Sequence, residues 1–195
     1  DPPFQLGALL SSAAGFRLYA AVDPATQRAV RLQRFALDQA AAWRLELSHA
    51  KERQAVAAQA TPPAWLELIA SGQGPEGPWL VWEAPVGVSL AERSQGEGPL
   101  PLEEGLAIAR ALSLALLPLH ATGLGFGPLT PETVSLRPDG SLRLGCPCLP
   151  STPFCPPEYQ PAERASPASD MFSLGALLVD LLCGEAPPQS GPDLF

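Results

Sequence analysis

This chain has four cysteines and two histidines, which could bind a zinc ion, and the cysteines could also form a disulfide. Three of the cysteines, Cys146, Cys148 and Cys155, lie close together in the sequence, and the others lie apart. Structural zinc sites usually use two Cys pairs, each with two to four residues between its members, or such a pair with His. The spacing found here does not fit that pattern, so we expect no metal site. A disulfide is the alternative, and reduced, buried thiols are the default.

The charge is divided unevenly along the chain. Residues 1–80 are electrically balanced, so the net charge of -8 lies in residues 81–195. A nucleic-acid surface needs a basic stripe that displaces counterions, so we expect no nucleic-acid partner. The sequence shows no apolar run of about 18 residues and no signal peptide. We therefore expect a cytoplasmic location, with membrane attachment only through segments that are not in this chain.

The first part of the chain has the pattern of a small antiparallel sheet with one helix. Apolar alternation and turn residues predict five strands, at 4–10, 16–22, 29–35, 65–71 and 79–84. Asp38 is the expected N-cap of a helix over about 39–60, which Pro62 ends.

The second part is predicted to be mostly helical. Ser89 caps a short helix, a long apolar helix covers 102–119, and Asp170 caps a helix that ends near Cys183. A small hairpin joins 134–136 to 142–144. Residues 145–168 are rich in Pro, Cys and Ser and are expected to form irregular loop.

Six segments follow one another in an order typical of one protein family. They are D-P-A-T-Q-R-A-V-R-L-Q-R-F (23–35), W-L-V-W-E-A-P-V-G-V-S-L (79–90), L-H-A-T-G (119–123), F-G-P-L-T-P-E-T-V (126–134), C-P-P-E (155–158) and S-D-M-F-S-L-G-A-L-L (169–178). They resemble segments of bacterial Hanks-type Ser/Thr protein kinases. The resemblance implies an α+β, protein-kinase-like two-lobe fold. Its small lobe would be residues 1–84, and residues 85–195 would form a shortened, mostly helical large lobe without the last helices.

The resemblance also implies that the catalytic positions of the family are replaced. These positions hold Gln33 for the strand lysine, Pro128 for the catalytic Asp, Thr133 for the metal-binding Asn and Cys146 for the Asp of D-F-G. The three positions of the glycine-rich loop hold Ser11, Ala13 and Phe16. Only glycine lets the backbone come close to phosphates there. We therefore expect no phosphoryl transfer, no bound nucleotide and no cofactor.

Two large side chains are expected in the nucleotide cleft that the resemblance implies. Strand alternation puts Arg31 on the same face as Gln33. Trp82 precedes Glu83, at the family position that controls access behind the nucleotide. The alternatives are that the Arg31 guanidinium extends into solvent and that Trp82 is an ordinary core residue. The family's helix glutamate falls at Glu52 or Arg53.

Other matched residues are expected to be structural. Phe126 keeps an apolar body where the family His packs, and Asp170 is implied to hydrogen-bond the backbone of the catalytic loop. The family partner of Glu158 would lie beyond residue 195. The helix that contains Phe172 and Leu178 is apolar nearly all round, so we expect another protein, or a second copy of this chain, against it.

These observations lead to a functional hypothesis: a catalytically inactive pseudokinase, not an enzyme, that acts as a protein-binding scaffold or assembly subunit. One alternative is a pseudokinase that binds nucleotide without turnover. Another is an atypical kinase-fold phosphotransferase or nucleotidyltransferase, whose metal carboxylates would come from Glu83, Glu132 and Asp139.

Overall fold

The structure is a computed structural model that describes residues 2–13, 15–57, 64–145, 153–156 and 164–185. The described residues form two compact units. The first contains the residues up to 57 and Trp65–Pro85, and the second contains Ala64 and the described residues from Val86 onward. No helix within these ranges is both long enough and apolar enough to cross a membrane.

The first unit contains a five-stranded antiparallel sheet and one long helix. The strands are β1 (Gln5–Ala13), β2 (Phe16–Val22), β3 (Ala29–Phe35), β4 (Leu68–Gly74) and β5 (Gly77–Glu83), and the helix is α1 (Ala40–Ala57). They are arranged in the order β1-β2-β3-β5-β4. The predicted bounds of the second and third strands are confirmed, whereas the fourth and fifth meet in a tighter hairpin than predicted.

The sheet register places the residues of interest on one face. Gln33 lies opposite Leu80, and Arg31 lies opposite Trp82. The other face carries a buried apolar cluster that includes Leu32 and is formed from β2, β3 and β5. Strand β3 therefore lies inside the sheet and presents Gln33 and Arg31 on the same side.

The turn between β2 and β3 is closed by Asp23. Its carboxylate accepts hydrogen bonds from the Ala25 N–H at 2.9 Å and from the Thr26 hydroxyl at 2.7 Å. Gln27 has a φ of 57°, a left-handed conformation that is uncommon for residues with a side chain. The turn signal in the sequence is confirmed, but the left-handed residue within it was not predicted.

The predicted start of α1 is wrong in detail. Asp38 lies within a single 3₁₀ turn, Leu37–Gln39, and α1 follows at Ala40. No side chain caps that turn. The acidic residue therefore contributes charge near the helix N-terminus rather than a capping hydrogen bond.

The described part of the second unit contains three helices and a small sheet. The helices are α2 (Leu90–Glu97), α3 (Leu102–His120) and α4 (Pro167–Cys183), and strands β6 (Val88–Ser89), β7 (Val134–Leu136) and β8 (Leu142–Leu144) form the sheet. The predicted cap at Ser89 is confirmed. Its hydroxyl accepts the Glu92 N–H at 3.1 Å, and the Glu92 carboxylate accepts the Ser89 N–H at 2.8 Å.

The N-cap of α4 is Ser166, four residues earlier than the predicted Asp170. The Ser166 hydroxyl accepts the N–H of Ser169 at 3.1 Å, and Pro167 occupies the first helical turn. A proline is tolerated there because its missing N–H would have had no partner in the helix. Asp170 lies in the first turn with its carboxylate directed elsewhere.

The core of the second unit lies between α3 and α4. Fully buried leucines come from both helices, namely Leu112, Leu116, Leu119, Leu177 and Leu181. The N-terminal end of α4 closely approaches the chain that follows α3, where the Gly125 N–H donates to the Ala165 carbonyl at 3.1 Å. A Cβ atom on Gly125 would lie 2.6 Å from the Ser166 nitrogen, so this approach requires glycine.

Candidate functional site

The carboxylate of Asp170 binds the backbone of the loop at residues 126–133. Oδ2 accepts the Phe126 N–H at 2.7 Å, and Oδ1 accepts the Gly127 N–H at 2.9 Å. Asp170 is fully buried and Phe126 is 1% exposed. The expected role of Asp170 in binding the loop backbone therefore agrees with the geometry, as does the burial of the Phe126 ring.

His120 also contacts the carboxylate of Asp170, and the sequence reasoning did not assign it a role. Its Nε2 lies 2.8 Å from Oδ2 of Asp170. His120 is the last residue of α3, so this contact ties the end of one helix to the first turn of another. The match of the L-H-A-T-G segment (119–123), together with Asp170, was the sequence signal that could have pointed to this contact.

Two opposing effects act on the carboxyl of Asp170. Burial raises its pKa, because a charged carboxylate loses its hydration in the interior. The N–H groups of Phe126 and Gly127, with His120, act in the opposite direction but do not reverse the shift. Both oxygens of the Asp170 carboxylate accept hydrogen bonds within the protein, so this side chain stabilises the local structure.

The two residues after Phe126 differ in type from those of the kinase loop that this segment resembles. Gly127 has a φ of 118°, which a residue with a side chain rarely adopts. Pro128 follows at the position of the catalytic Asp, and its ring has no group that accepts a proton. The glycine in place of the family Arg therefore serves the backbone path of this particular loop.

Thr133 uses its hydroxyl to close the loop on itself. Its Oγ1 accepts the Thr130 N–H at 2.9 Å and donates to the Thr130 carbonyl at 3.0 Å. Both residues are buried. The residue at the family's metal-binding Asn position therefore satisfies backbone groups of the loop.

In the first unit, Gln33 is bonded within the sheet. Its Oε1 accepts a hydrogen bond from Nε1 of Trp82 at 3.3 Å, and the two residues are 0% and 4% exposed. Gln33 carries no charge where the family has a lysine. Arg31 is half-buried beside Trp82 in the register. The expectation that Arg31 and Trp82 fill a cleft stays a prediction.

Glu52 and Arg53, the two candidates for the family's helix glutamate, differ in burial. Arg53 is buried, whereas Glu52 is half-buried. The Arg53 guanidinium lies 2.6 Å from Oε1 of Glu46, two turns earlier in α1. A cation with its own intrahelical carboxylate therefore occupies the buried face of α1, an arrangement that the sequence reasoning missed.

The positions of the family's glycine-rich loop form part of regular strand pairing. Ser11 pairs with Leu18, and Ala13 pairs with Phe16, in the β1–β2 ladder. Gly15, with a φ of 95°, lies at the turn. This pairing is that of an ordinary hairpin.

Several predicted residues lie outside the described ranges, namely Cys146, Cys148 and Glu158. Of the remaining cysteines, Cys155 is half-buried, Cys183 is exposed, and both are thiols. Within residues 2–13, 15–57, 64–145, 153–156 and 164–185, no three His, Cys, Asp or Glu side chains form a group suited to a metal ion.

The carboxylates considered as metal ligands have different surroundings. Asp139 binds the Ser141 hydroxyl at 2.6 Å in the β7–β8 turn. Glu132 is exposed. Burial of Asp180 in α4 raises the pKa of that carboxyl, and the negative charge of Glu132 raises it further. Glu83 lies at the end of β5, where its N–H donates to the Glu67 carbonyl at 2.8 Å.

Curated relatives of the chain are bacterial serine/threonine-protein kinases. The chain is 27% identical over 207 residues to the serine/threonine-protein kinase PknL of Mycobacterium tuberculosis. The aligned region covers 96% of this chain and 51% of PknL. It is 26% identical over 125 residues to the serine/threonine-protein kinase drp72 of Corynebacterium efficiens, over 56% of this chain and 24% of the relative. The match thus spans about half the length of PknL and about a quarter of the length of drp72. No family model matches the chain.

Solved structures show the fold. The PknI kinase domain of M. tuberculosis superposes with a TM-score of 0.73 at 23% identity, over 98% of this chain and 78% of that one. Rad53, solved with AMP-PNP, superposes with a TM-score of 0.74 at 19% identity, over 98% of this chain and 51% of that one. The protein-kinase-like fold with its five-stranded antiparallel sheet is confirmed. In sequence, this chain is similar to bacterial serine/threonine-protein kinases.

The expectation that the chain is not an enzyme is contradicted by these relatives. PknL and drp72 are both named as serine/threonine-protein kinases. The expectation rested on the replacement of single residues, and such replacements do not exclude activity in a chain whose relatives are named as enzymes.

Proposed function

We propose that this chain binds another protein, as a scaffold or as a subunit of an assembly, through its kinase-like fold. The observation that carries the proposal is the loop at residues 126–133. Asp170 accepts two of its backbone N–H groups, while Pro128 and Thr133 stand where the family has an Asp and an Asn. The residues that shape the loop are kept, and the residues that carry its usual chemistry are exchanged.

Helix α4 provides the surface where we place the partner. Met171, Phe172 and Val179 are 52%, 41% and 43% exposed, and Leu178 is half-buried. The only charged residues of α4 are Asp170, which is buried, and Asp180. An apolar helix face of this kind favours burial against another polypeptide, either a different protein or a second copy of this chain.

A charge placed on this face tests the partner proposal. We expect Phe172→Asp to weaken association at least tenfold, measured by light scattering for self-association and by co-purification for a different partner. The matched control is Leu106→Asp on α3, which is 57% exposed. Equal effects of the two substitutions, or none in either, would contradict the placement of the partner on α4.

A second candidate function is phosphoryl transfer, and the names of PknL and drp72 favour it. It would require nucleotide phosphates and metal ions to be held without a strand lysine, since Gln33 occupies that position. Nucleotide binding without turnover is an intermediate form of the same candidate.

Titration with ATP and Mg²⁺ separates the two candidates. A rise in melting temperature, together with transfer of labelled γ-phosphate to a protein substrate, would support the second. If binding needs only space behind the nucleotide, Trp82→Ala strengthens it. No temperature shift in either the natural chain or this variant supports protein binding alone. The proposal keeps the cytoplasmic location expected from the sequence, which cell fractionation tests.

A further inference from the structure

Helix α1 buries little apolar surface for its length. Of its 18 residues, Trp43, Ala50 and Arg53 are buried, and Trp43 is the one large apolar side chain among them. A helix is normally fixed in position and rotation by a wide apolar stripe. Leu45, Leu47 and Val56 are only half-buried, so α1 lacks a wide, fully buried apolar stripe and its rotation also depends on polar contacts.

Two side-chain hydrogen bonds join α1 to neighbouring strands of the sheet. Nε1 of Trp43 donates to the Trp79 carbonyl of β5 at 3.2 Å. Nε2 of Gln54 donates to the Leu68 carbonyl of β4 at 3.1 Å. The two donors lie eleven positions apart, which is roughly 16 Å along a helix. Bonds at two such distant points fix both the position and the rotation of α1.

The ion pair between Glu46 and Arg53 lies between these two anchors along the helix. The side chains are 19% and 9% exposed, so the guanidinium is largely removed from water. A buried cation without a nearby carboxylate would oppose packing of this face against the sheet. Glu46 therefore makes the clamped rotation compatible with Arg53.

We propose that Trp43 and Gln54 form a clamp that holds α1 on β4 and β5, with Glu46 as the charge partner of the clamped face. In protein kinases, an ion pair between a strand lysine and a glutamate of this helix must form, and control of the helix position acts through it. Gln33 has no charge with which to form such a pair. The clamp positions α1 through different strands, whichever function the chain performs.

Hydrogen exchange of the α1 amides in the whole chain tests the clamp. The variants are Trp43→Phe, which removes the N–H and keeps an aromatic ring, and Gln54→Leu. Each removes one bond, so we expect exchange of the α1 amides to rise about fivefold in each single variant and more in the double variant. Exchange in β3 should change much less.

Ser48→Ala is the matched control, because the Ser48 hydroxyl bonds Glu52 within α1 and no strand. We expect it to leave α1 exchange unchanged. Exchange in Trp43→Phe and Gln54→Leu equal to that of Ser48→Ala would overturn the proposal. An equal rise in α1 and β3 would also overturn it, because it would report loss of global stability. If the Trp43 variant does not fold, Gln54→Leu alone decides.

Discussion

Nε2 of His120 and the N–H of Phe126 meet the same oxygen of Asp170, at 2.8 Å and 2.7 Å. One buried carboxylate thus joins the end of α3, the first turn of α4 and the loop at residues 126–133. We therefore expect the stability of the protein to depend more on Asp170 than on His120. Loss of His120 leaves both backbone N–H groups bonded, whereas loss of Asp170 leaves buried donors without an acceptor.

We expect Asp170→Ala to lower the free energy of unfolding by about 3 kcal/mol or more, and His120→Ala by roughly 1 kcal/mol. Urea denaturation monitored by tryptophan fluorescence measures both. Asp139→Ala, in an exposed turn, is the control for loss of a carboxylate. A cost for His120→Ala as large as that for Asp170→Ala would show that the histidine, and not the carboxylate, is the centre of this contact.

Thr133 and Thr130 provide a matched pair of substitutions. Oγ1 of Thr133 makes two hydrogen bonds to the backbone of Thr130, whereas the buried Oγ1 of Thr130 has no hydrogen-bond partner within the described residues. We expect Thr133→Val to cost about 2 kcal/mol and Thr130→Val to be neutral or stabilising. Thermal unfolding of the two variants is the measurement. The opposite order would mean that the hydroxyl of Thr133 does not maintain the loop.

The left-handed conformation of Gln27 predicts the effects of two substitutions. Glycine adopts a φ of 57° without steric cost, whereas a β-branched residue does not. We expect Gln27→Gly to raise the free energy of unfolding by about 0.5 kcal/mol and Gln27→Val to lower it by about 1 kcal/mol or more. Chemical denaturation measures both. Equal stabilities for the two variants would argue against this conformation in solution.

Asp180 and Asp139 should give stability a pH dependence of opposite sign. Burial, with the charge of Glu132, raises the pKa of Asp180 above its ordinary 3.8. Its contribution to stability is then complete below pH 3.8 and is lost as the pH rises through the folded-state pKa. We expect Asp180→Asn to be more stable than the natural chain at neutral pH and equally stable in acid.

The control for that experiment is Asp139→Asn. Hydrogen bonds from Ser141 lower the pKa of Asp139 below 3.8, so its contribution is present above that value and is lost as the pH falls. We expect Asp139→Asn to be less stable than the natural chain at neutral pH. Denaturation curves at several pH values test both variants, and a shared sign would refute the assignment of these pKa directions.

Local sequence signals predicted much of the fold. Strands β2 and β3 and the cap at Ser89 depend on residues close in sequence, and they were predicted correctly, although the part that Glu92 plays in that cap was not. The start of α4 was misplaced because Asp170 and Ser166 are both common N-cap residues. Pro167 at the first helical position was the signal that favours Ser166.

The contacts that the sequence reasoning missed join distant residues. The bond between Trp43 and Trp79 spans 36 positions, and it depends on the rotation of α1 against the sheet. The Glu46–Arg53 pair is closer in sequence, but it requires knowing which face of an Ala-rich helix is buried. The role of Asp170 came from a family resemblance, since one Asp in an apolar helix does not identify the backbone groups that it binds.

The carboxylate that holds the loop has a consequence for the order in which the chain takes shape. Asp170 lies 50 positions after His120 and 43 after Gly127. Proteins leave the ribosome from the N-terminus, so His120 and the loop are synthesised well before the residue that binds them. The strands of the first unit, which end at Glu83, are complete by then. A nascent chain halted before residue 170 would therefore carry a finished sheet and a loop whose backbone N–H groups still bind water.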